Sequence, residues 1–420
     1  MPDSVHRVRC FCDMPGCPGG RRGPSKIGGD SQVKVPHRFG ASLLVLCLSW
    51  TFPAGAAVIK TVQTGTITMN PATRTVAITL VDTAKTFVVC QGDSGGAGSN
   101  PTLLPTCELT NATTLTITTH VADAAITVRW YVVEFLSGVT VQRGLAVPAG
   151  TATFNVAIAA VNLAKTFVLI TQRANTATQT IDEQWTTRAQ LTTTTNLQLT
   201  RLETGAALTV AWQVIQIESA VVQSGTTTIA NNTATATAAL APPIDVDRTF
   251  LVFSLNGNTG IGGDETLYRV TGRITNATTL SFQRSRNPGG GNTQINVTWF
   301  AVRMTDGTRV QRNVCGPSGT GAGSATMPAA PVGCLTLNNP VIVVNRSVAF
   351  ISARGDDTGS ASLTADLDDS SWKSALATNA ITLTRSAGAS LSENSNVAWE
   401  VVRFNNAPNI VEGDGREVFP

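Results

Sequence analysis

The sequence predicts an all-β protein in which four tandem antiparallel β-sandwich repeats follow an N-terminal signal segment. Thr and Val are abundant, whereas charged residues make up 14% and aromatic residues 5% of the chain. Residues with a branched Cβ favour extended strands. Short runs that alternate apolar and polar residues lie between Gly, Asn, Pro and Ser, as in sandwiches and barrels. In addition, one tryptophan-containing strand recurs four times.

The recurring strand places a Val two positions before each Trp and a Val or Ala two positions after it. Its four copies contain Trp130, Trp212, Trp299 and Trp399, which are 82, 87 and 100 positions apart. Residues two apart share one face of a strand. That face is apolar in every copy, so each Trp is predicted to anchor a separate hydrophobic centre.

Other segments recur in the same order, which indicates tandem copies of one unit. A strand that begins Lys-Thr-Phe or Arg-Thr-Phe starts at Lys85, Lys165 and Arg248, with a looser copy at Arg346. The predicted repeats span residues 57–143, 144–224, 225–312 and 313–405, between a signal segment at 1–56 and a tail at 406–420. Because the junctions between repeats are very short, the repeats should be stiffly coupled into a rod or a compact stack.

The N-terminal segment predicts export. A basic stretch, a short apolar core and an Ala-x-Ala site occur in that order, at Lys34–Arg38, 41–52 and Ala54–Ala56. This is the pattern of a secretory signal peptide, and the apolar run is too short to span a bilayer comfortably. The alternative is a buried core helix. We expect a secreted, extracellular or cell-surface protein whose translation starts near Val33 or Val35.

The charge balance argues against nucleic-acid binding. Residues 1–56 hold seven Lys or Arg and three Asp or Glu, and subtracting these from 30 and 27 leaves 23 basic and 24 acidic residues. The body of the chain is therefore near neutral, without a basic stripe that could neutralise phosphates.

Four cysteines follow the signal segment and form two local pairs. Cys90 and Cys107 are 17 positions apart, and Cys315 and Cys334 are 19 apart. An even number of cysteines in an exported chain indicates disulfides. Two disulfides that each close a loop are expected, and four buried free thiols are the alternative.

The segment Cys90–Gly96 resembles the nucleophile segment of chymotrypsin-like serine proteases. That family needs a His base, oriented by an Asp, and both precede the Ser in the chain. The one His after the signal segment is His120, which follows Ser94. We therefore predict a Gly-rich turn here and no enzymatic activity. A secreted hydrolase that uses loop carboxylates is a third alternative for the function of the chain.

Candidate ligand-binding residues lie beside the Asn- or Thr-rich strand of the repeats. Trp185 and Trp372 fall outside the repeated Trp strand, and a loop Trp can stack on a sugar ring. Arg188 and Arg273, just before the Asn/Thr strand, could contact anionic sugars or a neighbouring subunit. The alternatives are a second core Trp in each repeat and ordinary surface cations. Further arginines follow the same strand, at Arg201, Arg284 and Arg385.

No cofactor is predicted, although carboxylates on loops would suit calcium. The metal candidates are Asp366, Asp368 and Asp369, near the end of the chain. Their spacing matches neither an EF-hand nor a Gly-Asp nonapeptide array, and a solvated acidic loop is the alternative.

The Lys-Thr-Phe-Val, Asn-Ala-Thr-Thr and Val-x-Trp-x-Val segments resemble repeats of bacterial surface proteins and phage tail-fibre-like proteins. Their order is also similar to that in the H-type lectin domain, a small β-sandwich that trimerises and binds sugars. The similarity covers about residues 60–405 and lies in core strands. No residue here matches a sugar-contacting residue of the lectin family, so the resemblance implies a fold more than a ligand.

These patterns favour a secreted, non-enzymatic adhesin or lectin-like protein that binds glycans or cell-surface components. The alternative is a structural subunit of an extracellular filament, phage tail fibre or surface layer, since β-rich rods with unpaired edges associate readily. Self-association is compatible with either role. Neither role requires nucleic acid or a membrane span in the mature chain.

Overall fold

The structure is a computed structural model that describes residues 56–94, 104–122, 124, 126–148, 150–175, 186–205, 207–258, 268–285, 294–315, 324–327, 342–356, 371–378, 380–385 and 394–406. The apolar core of the predicted signal peptide and almost all of the predicted tail lie outside these ranges. Within them the chain is all-β, with antiparallel pairing throughout and no α-helix. The predicted fold class is confirmed at that level.

The described strands form eight three-stranded sheets that follow one pattern four times. Each of four successive segments of the chain forms two of these sheets. We call the sheet with a Trp strand at its centre the Trp sheet, and the other sheet of the same segment the companion sheet. The two sheets of a segment make up one pair, and the pairs are numbered I to IV along the chain. Pair I has a Trp sheet of β1 (Val58–Thr68), β6 (Ile126–Ser137) and β3 (Thr86–Ser94), and a companion sheet of β2 (Thr73–Ala77), β5 (Thr114–Thr118) and β4 (Thr106–Asn111).

Pairs II and III repeat this order. The Trp sheet of pair II contains β7 (Val139–Ala146), β12 (Leu208–Ile217) and β9 (Thr166–Ala174), and its companion sheet contains β8 (Thr153–Ala157), β11 (Asn196–Thr200) and β10 (Arg188–Thr193). The Trp sheet of pair III contains β13 (Ala220–Ile229), β18 (Ile295–Met304) and β15 (Thr249–Gly257), and its companion sheet contains β14 (Thr235–Ala239), β17 (Thr279–Arg284) and β16 (Val270–Asn276).

Pair IV has the same order, and the first strand of each of its sheets is shorter than in the other pairs. Its Trp sheet contains β19 (Arg309–Cys315), β24 (Asn394–Arg403) and β21 (Ser347–Asp356), and its companion sheet contains β20 (Ser324–Met327), β23 (Ala380–Thr384) and β22 (Lys373–Ala377). A single 3₁₀ turn precedes the third strand of each Trp sheet, at Thr83–Lys85, Leu163–Lys165, Val246–Arg248 and Val344–Arg346. In the first three pairs an Asp or Asn side chain caps this turn by accepting a backbone N–H.

All four tryptophans are buried, as predicted, and are between 1% and 8% exposed. Trp130 and Trp299 lie in hydrophobic clusters formed by pair I and pair III alone. Trp212 and Trp399 belong to a larger cluster that includes residues from all four pairs. The prediction of separate centres is therefore correct for pairs I and III and wrong for II and IV, whose cores are continuous with the centre of the molecule.

A glycine faces the Trp in three of the pairs. Gly65, Gly144 and Gly225 stand opposite their tryptophans on the neighbouring strand. A Cβ at each would lie 2.5–2.7 Å from the indole ring, closer than carbon atoms pack. Pair IV has Asn313 at this position, opposite Trp399. Its indole is 1% exposed, against 7–8% for the other three, which indicates that pair IV accommodates a Cβ by placing the indole deeper.

The four pairs are joined in a closed ring by one repeated hydrogen bond. In each case a backbone N–H of one companion sheet donates to a side-chain oxygen on the third strand of the next Trp sheet. The bonds are Cys107 N to Thr171 Oγ1 (3.0 Å), Ala189 N to Ser254 Oγ (2.9 Å), Gly272 N to Ser352 Oγ (3.1 Å) and Ser374 N to Gln91 Oε1 (2.7 Å). The last of these returns from pair IV to pair I, which closes the ring.

The residues just after β24 also contact pair I at this closure. Ile59 N donates to Asn405 O at 3.2 Å, and the ring centroids of Phe135 and Phe404 are 5.1 Å apart. The 3₁₀ turn of pair IV contacts β1, just as the turn of pair I contacts β7. Of the two predicted arrangements, a rod or a compact stack, this closure excludes the rod. The short junctions place the pairs around a common axis, where each contacts the next.

Candidate ligand-binding site

A cavity of about 410 Å³ lies where the four Trp sheets meet, and residues from all four pairs line it. The third strands of the Trp sheets, β3, β9, β15 and β21, form its walls. We call it the axial cavity. Its volume lies within the range of small-molecule sites.

One end of the axial cavity, which we call its lower wall, is apolar. Equivalent positions on the four strands hold Val89, Leu169, Val252 and Phe350. Two residues earlier on three of these strands, phenylalanines pack edge to face beneath the cavity. Phe87 and Phe167 have centroids 6.3 Å apart, and Phe167 and Phe250 are 5.6 Å apart. These rings fill the axis below the cavity, because alternate residues of each strand point toward it.

Each of the four strands presents a polar side chain two residues after its apolar lining residue, which is Val89, Leu169, Val252 or Phe350. Thr171, Ser254 and Ser352 line the cavity and accept the inter-pair N–H bonds described above. A hydroxyl that accepts one N–H keeps its own O–H for donation. In the described part of the chain, none of these three hydroxyls donates to a protein acceptor. The cavity therefore offers three hydrogen-bond donors held in place by the ring contacts.

The fourth corner differs because Gln91 occupies it. Its Nε2 donates to Ala349 O at 2.8 Å, and its Oε1 accepts from both the N–H and the hydroxyl of Ser374, each at 2.7 Å. Tyr131 adds a hydrogen bond to Ser374 O at 2.9 Å. The Gln91 side chain is buried and its amide is used within the protein. This corner seals the junction between pairs IV and I.

Glu400 also lines the cavity and is the buried acid of the junction between pairs III and IV. Its Oε2 accepts from Leu251 N at 2.6 Å, and its Oε1 accepts from Arg312 Nε at 3.0 Å. Gln213 holds the equivalent place between pairs I and II, where its amide accepts from Val88 N and donates to Val88 O, both at 2.8 Å. Burial raises the pKa of Glu400 above its usual range, and Arg312 opposes the shift.

Glu400→Gln should make the stability of the chain less dependent on pH. A carboxyl whose pKa is raised by folding stabilises the fold fully below the unfolded pKa, and this contribution is lost as pH rises through the folded pKa. Wild type should therefore lose stability relative to the variant as pH rises from about 4. The change amounts to about 1.4 kcal/mol for each unit of upward shift. Urea unfolding of both proteins across that range measures it.

The variant is well matched because Gln213 beside Arg143 already forms the same junction between pairs I and II. Arg143 donates to Thr83 O at 2.7 Å and to Thr86 O. Burial lowers its pKa to about 10, so it remains charged at neutral pH without a carboxylate. A constant difference in stability between Glu400→Gln and wild type at every pH would contradict the assignment.

Of the two predicted ligand tryptophans, Trp185 lies outside the described residues. Trp372 lines the axial cavity but is 3% exposed, and its Nε1 donates to Ser395 Oγ at 2.7 Å. The Arg385 guanidinium lies 5.5 Å from its ring centroid. Trp372 is therefore a core residue, as the alternative predicted, that also lines the cavity, and its contact with a ligand stays a prediction.

The two predicted ligand arginines lie apart from this cavity. Arg188 is partly buried between pairs, and it donates to Thr226 and Thr298 hydroxyls at 3.3 and 3.4 Å. Burial lowers its pKa. Arg273 is exposed on β16 and borders a second cavity of about 360 Å³ at the junction of pairs III and IV. The structure does not bring the two together.

The arginines that follow the Asn/Thr strand are buried, so they are not the surface cations that one alternative predicted. Arg201, Arg284 and Arg385 are at most 2% exposed. Arg201 Nη1 donates to Pro148 O at 2.9 Å, and Arg284 donates to two loop carbonyls at 2.7 and 3.0 Å. Arg201 and Arg284 hold the loop between the two sheets of their pairs, because a guanidinium can satisfy several carbonyls at once.

One predicted disulfide is present. Cys90 on β3 bonds to Cys107 on β4 and so links the Trp sheet to the companion sheet of pair I. Cys315 is buried at the end of β19, where its Sγ accepts from Trp399 Nε1 at 3.3 Å. Its predicted partner Cys334 lies outside the described residues, so that pairing stays a prediction.

The predicted calcium ligands Asp366, Asp368 and Asp369 also lie outside the described residues. Within the described ranges no group of three or more His, Cys, Asp or Glu could hold a metal ion. No helix in that part of the chain is long and apolar enough to cross a membrane.

The polar corners of the axial cavity were missed at the sequence level, although a signal existed. Each copy of the Lys-Thr-Phe segment has a Thr or Ser at its second position. Five positions after that residue stand Gln91, Thr171, Ser254 and Ser352. Three hydroxyls and one amide at one repeat position suggest a shared role. Their convergence depends on ring closure, which strand patterns do not specify. No protein-family model, no curated protein and no solved structure matches the chain.

Proposed function

We propose that the chain is a secreted, non-enzymatic, lectin-like protein that recognises glycans at the axial cavity. In this proposal each sheet pair is one copy of a β-sandwich repeat, with the boundaries predicted from the sequence. The observation that carries the proposal is the set of three hydroxyl donors, on Thr171, Ser254 and Ser352, around one cavity. These hydroxyls can donate to the acceptor oxygens of a sugar. Because the scaffold already holds them in place, binding costs little side-chain entropy.

The closed ring favours binding over the alternative of a structural subunit. Surfaces between neighbouring pairs are occupied within the chain, including the pair IV to pair I surface. In a filament that grows head to tail, this last surface would instead join separate chains. A subunit of a fibre or surface layer would therefore need another contact.

A glycan array probed with the intact secreted chain tests the proposal. We expect binding to a limited set of glycans, and loss of that binding in the double variant Thr171→Val, Ser254→Ala. The control is Thr171→Ser, Ser254→Thr, which keeps both hydroxyls. No glycan binding at high protein concentration would contradict the proposal, and assemblies in sedimentation or electron microscopy would then favour the structural role.

A further inference from the structure

We infer that the axial cavity takes one amphipathic group per chain, with an apolar body and hydrogen-bond acceptors on its polar side. This inference rests on the proposed function and names the chemistry of the ligand. For a glycan, it requires a terminal residue that carries an apolar substituent.

The number of sites follows from the ring. Four equivalent strands surround a single cavity, so the four pairs share one site. Four independent sites, one on each pair, would instead require four equivalent cavities away from the axis. The expected stoichiometry is therefore one ligand per chain.

The apolar body follows from the lower wall. Val89, Leu169, Val252 and Phe350 line the cavity, and the phenylalanine cluster closes the axis below them. A fully hydroxylated ligand there would lose hydration without recovering hydrogen bonds from these side chains. An alkyl or aromatic group would gain by leaving water.

The acceptors expected on the ligand follow from the hydrogen bonds that the polar side chains of the cavity already make. Thr171, Ser254 and Ser352 already accept a backbone N–H, and each retains a proton to donate. The Gln91 corner has its amide engaged inside the protein. A ligand therefore meets donors at three of the four corners, and ether or carbonyl oxygens suit them better than hydrogen-bond donors do.

Nile red is a suitable probe because it is apolar, planar, bears acceptors and has no hydrogen-bond donor. Titration of the intact chain should give a fluorescence increase that saturates at one dye per chain. Val252→Trp, which fills the cavity, should weaken binding at least about tenfold, since the apolar contacts are lost. Leu145→Trp is the matched control. Leu145 is 49% exposed and lies outside the cavity, so its variant should bind like wild type.

A second pair of variants tests the donor without filling the cavity. Ser352→Ala should weaken dye binding about fivefold through the loss of one hydrogen bond. Ser352→Thr should retain it. Equal binding by wild type, Val252→Trp and Ser352→Ala would overturn the inference, as would a stoichiometry of four.

Competition separates this inference from the proposed function. A glycan from the array that displaces Nile red supports both. A glycan that binds without displacing the dye leaves the proposed function intact and overturns the inference about the cavity. Dye binding with the expected variant pattern, but no binding of any glycan, supports an amphipathic ligand and contradicts glycan recognition.

Discussion

Lys373→Met is expected to lower the free energy of unfolding by about 3–5 kcal/mol, because it removes one partner of a buried ion pair. Lys373 Nζ lies 2.8 Å from Asp93 Oδ2 and also donates to the Thr127 hydroxyl. The Asp93 side chain is fully buried, whereas that of Lys373 is 19% exposed. The two residues belong to pairs IV and I, so their ion pair lies in the junction that closes the ring.

Arg188→Met is the matched control for this prediction. Arg188 occupies on β10 the position that Lys373 occupies on β22, but among the described residues it donates only to threonine hydroxyls across its junction. Its loss should cost about 1 kcal/mol, as for an ordinary hydrogen bond. Urea denaturation of both variants measures the difference. Equal losses would show that the Lys373–Asp93 pair is not buried as described.

Gly225→Ala is expected to lower the free energy of unfolding by about 1–3 kcal/mol through overpacking. The added Cβ would lie 2.6 Å from the Trp299 ring. That indole cannot simply move outward, because its Nε1 donates to Thr227 Oγ1 at 3.1 Å and its neighbours fill the core of pair III. Tryptophan fluorescence during urea unfolding reports both the stability and the environment of the indoles.

Asn313→Gly is the control for the glycine prediction, since pair IV already holds a side chain opposite its Trp. Removing that side chain should change stability by no more than about 1 kcal/mol. If Gly225→Ala were as stable as wild type, the close approach of glycine and indole would not constrain the Trp sheets.

Local structure was the part of the fold that the sequence could predict. The alternation around Trp130, Trp212, Trp299 and Trp399 correctly indicated buried strands, because the side-chain period of a strand is visible in the sequence. The Cys90–Cys107 disulfide was predictable from its spacing and context. Both features depend on residues close together in the chain.

Ring closure was not predictable in this way. A short junction fixes that neighbours are coupled but not the angle between them, and that angle at the four junctions distinguishes a ring from a rod. The residues that close it, such as Lys373 and Asp93, are 280 positions apart. The axial cavity was missed for the same reason, since its corners come from four separate strands. Arg201 and Arg284 were weighed as surface cations because a sequence shows charge but not the carbonyls around it.

A distance between pairs I and IV tests the ring most directly. Spin labels at Thr66 and Asn345, both exposed, flank the contact between β1 and the 3₁₀ turn of pair IV. Labels at Leu145 and Ala84 occupy the equivalent positions across the continuous junction of pairs I and II. The ring predicts similar short distances for both label pairs. A rod of four units, each about 30 Å across, would also give a short distance between Leu145 and Ala84. It would, however, separate Thr66 and Asn345 by about 90 Å. That result would contradict the ring.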